Sequence, residues 1–248
     1  MKTGMWWMLF AAVFAVVLDG LSVVPSCVGQ QVDSPVLVHV SAAGKQDADG
    51  SPERPFGSLE AALAKGVQPG TTISIETAAG PVVGDITLKG IHGTAERPIV
   101  VRAQSAQAGT VSIRGRMAFQ DARHLVLEGL AIEPSAGEGH SDKACLDVQG
   151  ENVRIRNCRV TGGSGTGVRL RGREIELHGG EVAACEGYGI SLDGQIRLDG
   201  VRVLACGEGS IRMTGDTHVA NSLLLHNRGP ALTANPQCTL RSRNRNCS

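Results

Sequence analysis

The residues most able to do chemistry in this 248-residue chain are a lysine and two arginines in its second half. Lys143 is a candidate general base, a role open to an amine that loses its proton near neutral pH. Arg169 and Arg171 are candidate catalytic cations, because a guanidinium neutralises a carboxylate through paired hydrogen bonds. The candidate binding residues are His140, Asp142, Asp147, Asp193 and Arg212. Together these side chains predict a site for a polyanion.

A repeat of 21–22 residues positions most of these candidates. Each copy reads apolar, polar, apolar, polar, Gly, which is the alternation of a half-buried strand. The copies begin at residues 86, 111, 146, 168, 190, 211 and 232. The repeat predicts two adjacent outward columns: Ser112, Asp147, Arg169, Ser191 and Arg212, and beside them Arg114, Gln149, Arg171, Asp193 and Thr214. His140, Asp142 and Lys143 belong to an expanded loop that leads into the copy at residue 146.

A second series of short alternating segments lies between the copies, and each segment ends in Gly or Asn. These two residue types accept a left-handed backbone at low cost. We therefore expect a positive φ at Asn157, Gly179, Gly200 and Asn221, which would form one tight corner in every coil. A third short strand follows each corner, so each coil contains three strands, a corner and a longer loop.

Three short strands per repeat wind a chain into a solenoid, because stacked coils bury inner faces that a single coil cannot. The sequence thus predicts an all-β fold, a parallel β-helix of about seven short coils. Ser58 is expected to cap a short helix that runs to about Lys65, with Leu59, Ala62 and Leu63 on one face. This helix would cover the N-terminal end of the solenoid.

The N-terminus contains an apolar run of 14 residues, from Met5 to Leu18. The run is short for a bilayer span and follows Lys2, which predicts a secretory signal peptide over residues 1–30. A retained membrane anchor, or a lipid anchor at Cys27, is the alternative. We expect an N-terminal cap over 31–70, the β-helix over 71–235 and a C-terminal tail over 236–248, in a protein that is secreted, periplasmic or at the cell surface.

Charge and cysteine spacing narrow the range of partners and cofactors. The 24 basic and 24 acidic residues balance, which argues against nucleic-acid binding. The cysteines form no CxxC pair, so neither a zinc ribbon nor a thioredoxin-like motif is expected. Calcium requires several clustered carboxylates, and Asp142 and Asp147 are too few to predict a site. We expect a monomer without a cofactor and without membrane contact beyond the signal segment.

Two of the cysteines occupy equivalent positions in the repeat. Cys185 and Cys206 are 21 residues apart, and each precedes an aligned isoleucine, Ile190 or Ile211, by five residues. Residues one coil apart are stacked at about 4.8 Å, so we expect adjacent sulfur atoms. That spacing permits a disulfide, and export would supply an oxidising compartment.

Four segments before and at the start of the repeats, residues 40–44, 51–63, 69–73 and 93–104, resemble the opening of secreted right-handed parallel β-helix proteins of the pectin-lyase-like superfamily. The opening is similar in particular to polysaccharide lyases of the pectate lyase and alginate lyase or chondroitinase B kind. With the repeats, the resemblance covers about residues 36 to 235. It implies a right-handed coil, with the strands at 146, 168, 190 and 211 in the first sheet, where such lyases bind substrate.

Three functions follow from these observations. The first is a secreted β-helix module that contacts extracellular or cell-surface acidic polysaccharide. The second is a lyase that cleaves a uronate polymer by β-elimination, with Lys143 as base and Arg169 or Arg171 neutralising the carboxylate. The third is a structural surface protein without a ligand, in which outward charges such as Arg154, Glu176 and Arg197 form stacked ladders.

Overall fold

The computed structural model describes residues 36–45, 47–104, 110–135 and 143–234, which are mostly β-strand with one short helix among them. The helix α1 is Leu59–Ala64. The strands are β1 Leu37–Ser41, β2 Thr72–Glu76, β3 Val82–Val83, β4 Ile86–Lys89, β5 Ile99–Gln104, β6 Ile113–Arg114, β7 Met117–Glu128, β8 Ala131–Glu133, β9 Leu146–Arg156, β10 Arg159–Thr161, β11 Val168–His178, β12 Glu181–Ala183, β13 Tyr188–Asp199, β14 Arg202–Leu204, β15 Gly209–Thr214, β16 Thr217–Ala220, β17 Leu223–Leu225 and β18 Leu232–Ala234.

The strands pair in parallel and stack into two sheets. The larger sheet has the order β1-β2-β5-β7-β9-β11-β13-β15-β18, with β4 also paired to β7 and β16 to β13. The smaller sheet has the order β17-β14-β12-β10-β8-β6-β3. Since each strand pairs with its equivalent one repeat away, the chain winds in coils, and the predicted parallel β-helix is confirmed.

Four long strands, β7, β9, β11 and β13, each contain two of the three short strands expected per coil. Pairing continues across a bend within each strand; between β11 and β13 the register shifts between Gly172 and Ile175. We call the segments before the bend the first sheet (86–89, 117–120, 146–149, 168–171, 190–193, 211–214). The segments after it form the second sheet (125–128, 153–156, 175–178, 196–199, 217–220), and the smaller sheet is the third.

The apolar residues of the repeat copies stack in inward columns, as their alternation predicts. Val168 lies opposite Leu146 on one side and Ile190 on the other, and Ile190 lies opposite Ile211. All four side chains are buried, and burial of one such side chain stabilises the fold by roughly 1.5–3 kcal/mol. These stacked aliphatic residues hold the outward side chains of the first sheet at fixed spacing.

The copy at residues 111–115 does not lie in the first sheet, as its alternation had suggested. Ile113 pairs with Ile132 and Arg114 with Glu133, so this copy belongs to the third sheet. Ser112 is fully buried, and its hydroxyl donates to the Ala131 carbonyl at 3.0 Å. Met117 pairs with Leu146 instead. A strand as short as β6 fits either sheet, and its pairing with strands far away in sequence decides which sheet it joins.

The tight corner between the second and third sheets is confirmed. The φ angles are 51° at Asn157, 64° at Gly179, 67° at Gly200 and 50° at Asn221. All four fall in the left-handed region, where Gly and Asn are the least strained residues. The corner therefore repeats in successive coils and fixes where each second-sheet segment ends.

The helix α1 forms where Ser58 and Gly66 predicted it. The Ser58 hydroxyl accepts a hydrogen bond from the Ala61 backbone N–H at 3.1 Å, and Gly66 follows the helix with a φ of 90°. Leu59 and Ala62 are buried against the core, and the helix contacts β1 and β4. In the described part of the chain, no helix is long and apolar enough to span a bilayer. The predicted signal segment and the tail lie outside the described residues.

Candidate functional site

The first sheet brings five of the predicted site residues onto one outward face. Arg169 lies opposite Asp147 in the register, and Arg171 lies opposite Asp193. Arg212 continues the column of Arg169 one coil beyond Ser191. Lys143 is exposed just before β9, at the start of the same face, whereas His140 and Asp142 lie outside the described residues.

Asp147 holds both candidate arginines of the next coil. Arg171 donates from Nη2 to the two Asp147 carboxylate oxygens at 2.9 and 3.1 Å. Arg169 Nη1 lies 3.6 Å from Asp147 Oδ2. The Asp147 side chain is only 19% exposed, against 43% for Arg171. One largely buried carboxylate thus contacts and orients two guanidinium groups.

A groove of about 380 Å³ runs beside Arg171, at the bend between the first and second sheets. Gln149, Arg171 and Asp193 line it on the first-sheet side, and Glu151 and Arg173 line it on the other. Arg173 donates to Glu151 at 2.9 Å. The lining between the two sides is Gly150, Gly172 and Gly194, with Ala122 at the equivalent place one coil earlier. The groove is therefore a channel with a floor of glycine and alanine and with polar and charged walls.

The far end of the face has exposed groups of both charges. Thr214 donates through its hydroxyl toward Asp193 Oδ1 at 3.0 Å, with the Leu192 carbonyl oxygen 3.1 Å away as a second acceptor. Asp193 and Arg212 are both exposed. Either side chain can contact a ligand laid along the coils without rearrangement of the core.

Arg116 is a further cation at the start of the first sheet that sequence reasoning missed. Its Nε donates to the Ala144 carbonyl at 3.3 Å, next to Lys143, and its backbone N–H donates to Asp85 Oδ1 at 3.0 Å. Its Nη1 is buried with no hydrogen-bond partner. A signal was available, because Met117-Ala-Phe-Gln120 alternates as a first-sheet strand should and would have placed Arg116 directly before it.

Charges on the second and third sheets stack as ladders of opposite sign, as the repeat predicted. Arg154 lies 3.7 Å from Glu176, and His178 lies 3.5 Å from Asp199. On the third sheet Glu181 sits between two arginines, at 3.8 Å from Arg159 and 2.9 Å from Arg202. Exposed pairs of this kind contribute roughly 0–1 kcal/mol each, so they mainly favour the correct register of the coils.

The described residues do not fit a calcium ion. Ca²⁺ takes six to eight oxygen ligands, most often from clustered carboxylates. Among the residues that the structure describes, no group of three or more His, Cys, Asp or Glu could hold a metal ion. Both Asp147 oxygens already accept hydrogen bonds from Arg171, so we assign no chemical step to a metal.

Comparison with known proteins gives matches in structure alone. No family model and no curated protein matches this sequence. Among solved structures, the pectate lyase Pel9A matches with 16% sequence identity and a TM-score of 0.61, over 77% of this chain and 54% of that one. A rhamnogalacturonan lyase matches with 13% identity and a TM-score of 0.45, over 80% of this chain and 62% of that one.

The chain therefore spans about half the length of that pectate lyase. The likeness extends over the coils and agrees with the parallel pairing and the register described above. The chain has the fold of that pectate lyase, a right-handed parallel β-helix.

Proposed function

We propose that this protein is an exported β-helix module that binds acidic polysaccharide along its first sheet. The observation that carries the proposal is the placement of Arg171. Asp147 fixes its guanidinium at the edge of a groove with a floor of glycine and alanine. The similar pectate lyase is, by its name, an enzyme of a polysaccharide. An oriented cation beside a channel with a floor of small residues suits a linear polymer that carries carboxylates.

Arg171 is suited to this role because part of its guanidinium group is available to bind a ligand. Among the described residues it contacts Asp147 through Nη2, and its Nε is buried. Its Nη1 therefore remains for a carboxylate of the ligand. Because the side chain is already held in place, binding costs less conformational entropy than it would for a free arginine. The chain as a whole is neutral, so the attraction comes from this local group of cations and weakens with salt.

The test is a binding titration with polygalacturonate, alginate, chondroitin sulfate and heparin, and with neutral dextran as the reference polymer. Arg171→Gln should weaken binding to the preferred polyanion by about tenfold or more, because a hydrogen bond to a charged group contributes roughly 1.5–3 kcal/mol. Arg202→Gln is the matched control. It also breaks a 2.9 Å pair with a carboxylate that is 20% exposed, but on the third sheet. Equal losses in the two variants, or no binding by the unmodified protein, would contradict the proposal.

A lyase is the second candidate, and the observation in its favour is the hydrogen bond from Arg116 to the carbonyl of Ala144, the residue that follows Lys143. In β-elimination a base removes the proton from the carbon next to a uronate carboxyl group while a cation neutralises that group. A C=C bond forms as the glycosidic C–O bond at the next carbon breaks, and the leaving oxygen takes up a proton from solvent. Lys143 would be the base, and Arg169 or Arg171 the cation. The same polymers, followed by ultraviolet absorbance of unsaturated product, distinguish cleavage from binding.

Lys143→Ala sharpens the lyase test. If the protein is a lyase, the variant should lose turnover and keep its melting temperature, because an exposed lysine packs little. An unaltered rate on a proven substrate would remove Lys143 from the mechanism. Binding without unsaturated product would support a polysaccharide-binding module that is not a lyase. Failure to bind any of the polymers would favour a structural protein.

Export is part of the proposal, and the mass of the mature protein tests it. Cleavage within residues 26–31 would support a secretory signal. A diacylglyceryl modification at Cys27 would instead indicate a lipid anchor, and an intact N-terminus in membrane fractions would indicate a retained anchor.

A further inference from the structure

Three buried thiols lie together at the loops that lead from the third sheet into the first. The side chains of Cys145, Cys185 and Cys206 are at most 3% exposed. The sulfur atoms of Cys145 and Cys185 each lie 3.4 Å from the Gly162 carbonyl oxygen. The thiols of Cys185 and Cys206 lie close enough to shift each other's pKa, in agreement with the predicted adjacency of these two sulfur atoms. The structure holds all four described cysteines as free thiols.

Cys185 and Cys206 are equivalent in backbone conformation as well as in sequence. Each follows a left-handed alanine, with a φ of 56° at Ala184 and 54° at Ala205. The strands before them are in exact register, with Ala183 opposite Leu204. Stacked residues at about 4.8 Å lie inside the range of Cα separations that a disulfide tolerates.

Cys145 reaches the same cluster from a different place in the coil. It directly precedes Leu146, whereas Cys185 and Cys206 lie five residues before Ile190 and Ile211. A Cβ atom at Gly163 would be only 2.6 Å from the Cys145 sulfur. Cys145 thus occupies space left by a glycine, and the equivalent pair is Cys185 with Cys206.

We propose that a disulfide joins Cys185 to Cys206 in the exported protein and staples two adjacent coils, while Cys145 and Cys158 remain thiols. The bond goes beyond the proposed binding function, because it lies in the loops between coils and involves none of the arginines on the first sheet. Both sulfur atoms are buried, so the reaction takes place while these coils are still open during folding.

The thiols differ in how readily they react. In the closed coils the contact with Cys185 lowers the pKa of Cys206 to about 7, and the same contact together with burial raises the pKa of Cys185. Burial raises the pKa of Cys145 to about 11 and that of Cys158 to about 12. In the open coils, where that contact and that burial are absent, either cysteine of the pair can attack first as the thiolate.

The chemistry is thiol–disulfide exchange with a small disulfide such as oxidised glutathione. The thiolate of one cysteine of the pair attacks one sulfur of the oxidant, and a mixed disulfide forms as one thiolate leaves. The other cysteine then loses its proton to solvent and attacks the sulfur of the first cysteine, and the second thiolate leaves. Two electrons pass from the pair to the oxidant, which ends as two thiols.

A tryptic peptide map decides the question. The four described cysteines fall on separate peptides, at residues 144–154, 157–159, 174–197 and 203–212. The full chain is refolded with oxidised and reduced glutathione, alkylated under denaturing conditions and digested without reduction. We expect peptide 174–197 linked to 203–212, lighter by two hydrogen atoms than the separate thiol peptides, with 144–154 and 157–159 alkylated. Separate alkylated peptides, or a link from 174–197 to 144–154, would overturn the proposal.

Variants test the staple. Cys206→Ser should remove the linked peptide, and Cys158→Ser, the matched control, should keep it. Oxidation should raise the melting temperature of the unmodified chain by roughly 5–10 °C and leave that of Cys206→Ser unchanged. The peptide map of the unmodified chain decides the link even where a serine variant does not fold. A link with no rise in melting temperature would overturn the stapling role.

Discussion

Two turns of each coil depend on glycine for different physical reasons. At the bend between the first and second sheets, a Cβ atom would lie 2.1 Å from a backbone oxygen of the previous coil at Gly150, 1.9 Å at Gly172 and 2.0 Å at Gly194. At the tight corner between the second and third sheets, the nearest heavy atom to a Cβ at Gly200 is 3.9 Å away. At these three coils the bend therefore requires the absence of a side chain, although Ala122 occupies the equivalent place one coil before Gly150, whereas the corner at Gly200 requires only a left-handed backbone.

This difference explains the residue types and also the location of the groove. The corner accepts asparagine at Asn157 and Asn221, because a φ near 50° is tolerable for that side chain. The bend has φ angles of 136° at Gly172 and 121° at Gly194, a region that side-chain-bearing residues rarely adopt. The same close stacking that excludes side chains at the bend leaves the groove floor open to a ligand.

Gly172→Ala should have the largest effect on stability. The added methyl group collides with the Gly150 carbonyl, and backbone strain and overpacking together should cost about 3–5 kcal/mol in urea unfolding. Gly66→Ala is the control, since Gly66 also has a positive φ of 90° but has no atom within 4 Å of the added methyl group. Similar losses in the two variants would mean that conformation alone, rather than collision, governs the bend.

Gly200→Val should have an intermediate effect. The corner has room for the side chain, so only the cost of a left-handed β-branched residue remains, about 1–2 kcal/mol in the free energy of unfolding. A loss as large as that of Gly172→Ala would erase the distinction between the two turns. No loss would show that Gly200 can leave the left-handed region.

Gly200→Asn should have the smallest effect, below about 1 kcal/mol. Asn221, one coil further, adopts the same conformation and donates from its side-chain amide to Asp199 at 2.8 Å. Comparing the melting temperatures of this variant and of Gly200→Val shows whether the loss of stability depends on the type of side chain introduced or only on the replacement of this glycine. A loss equal to that of valine would mean that the corner selects glycine itself.

The sequence predicted well wherever a position repeats. Asn157, Gly179, Gly200 and Asn221 recur at one place in the coil, so their shared φ follows from spacing alone. Asp147 and Arg169 likewise lie opposite each other on adjacent coils, because they occupy the same position in successive copies of the repeat. They share one face of the sheet because strand side chains alternate between faces with a period of two. Which residues are neighbours on successive coils can thus be predicted from the length of the repeat.

Prediction failed where a segment is short or a position does not repeat. The copy at residues 111–115 has the correct alternation, yet two paired residues are too few to choose between sheets. Its displacement hid Arg116, whose contact with Ala144 joins residues 28 apart. Spacing also says nothing of the third thiol, because Cys145 enters its cluster through space left at Gly163.

By itself, the sequence determined the coil length, the inward columns, the tight corner and the capping helix, because each depends on local periodicity or local backbone preference. Tertiary structure decided which sheet a short strand joins, that one carboxylate orients both Arg169 and Arg171, and that stacked glycines open a groove beside Arg171. These features depend on how side chains and carbonyl groups of different coils meet in space. Such distances arise only once the coils are stacked.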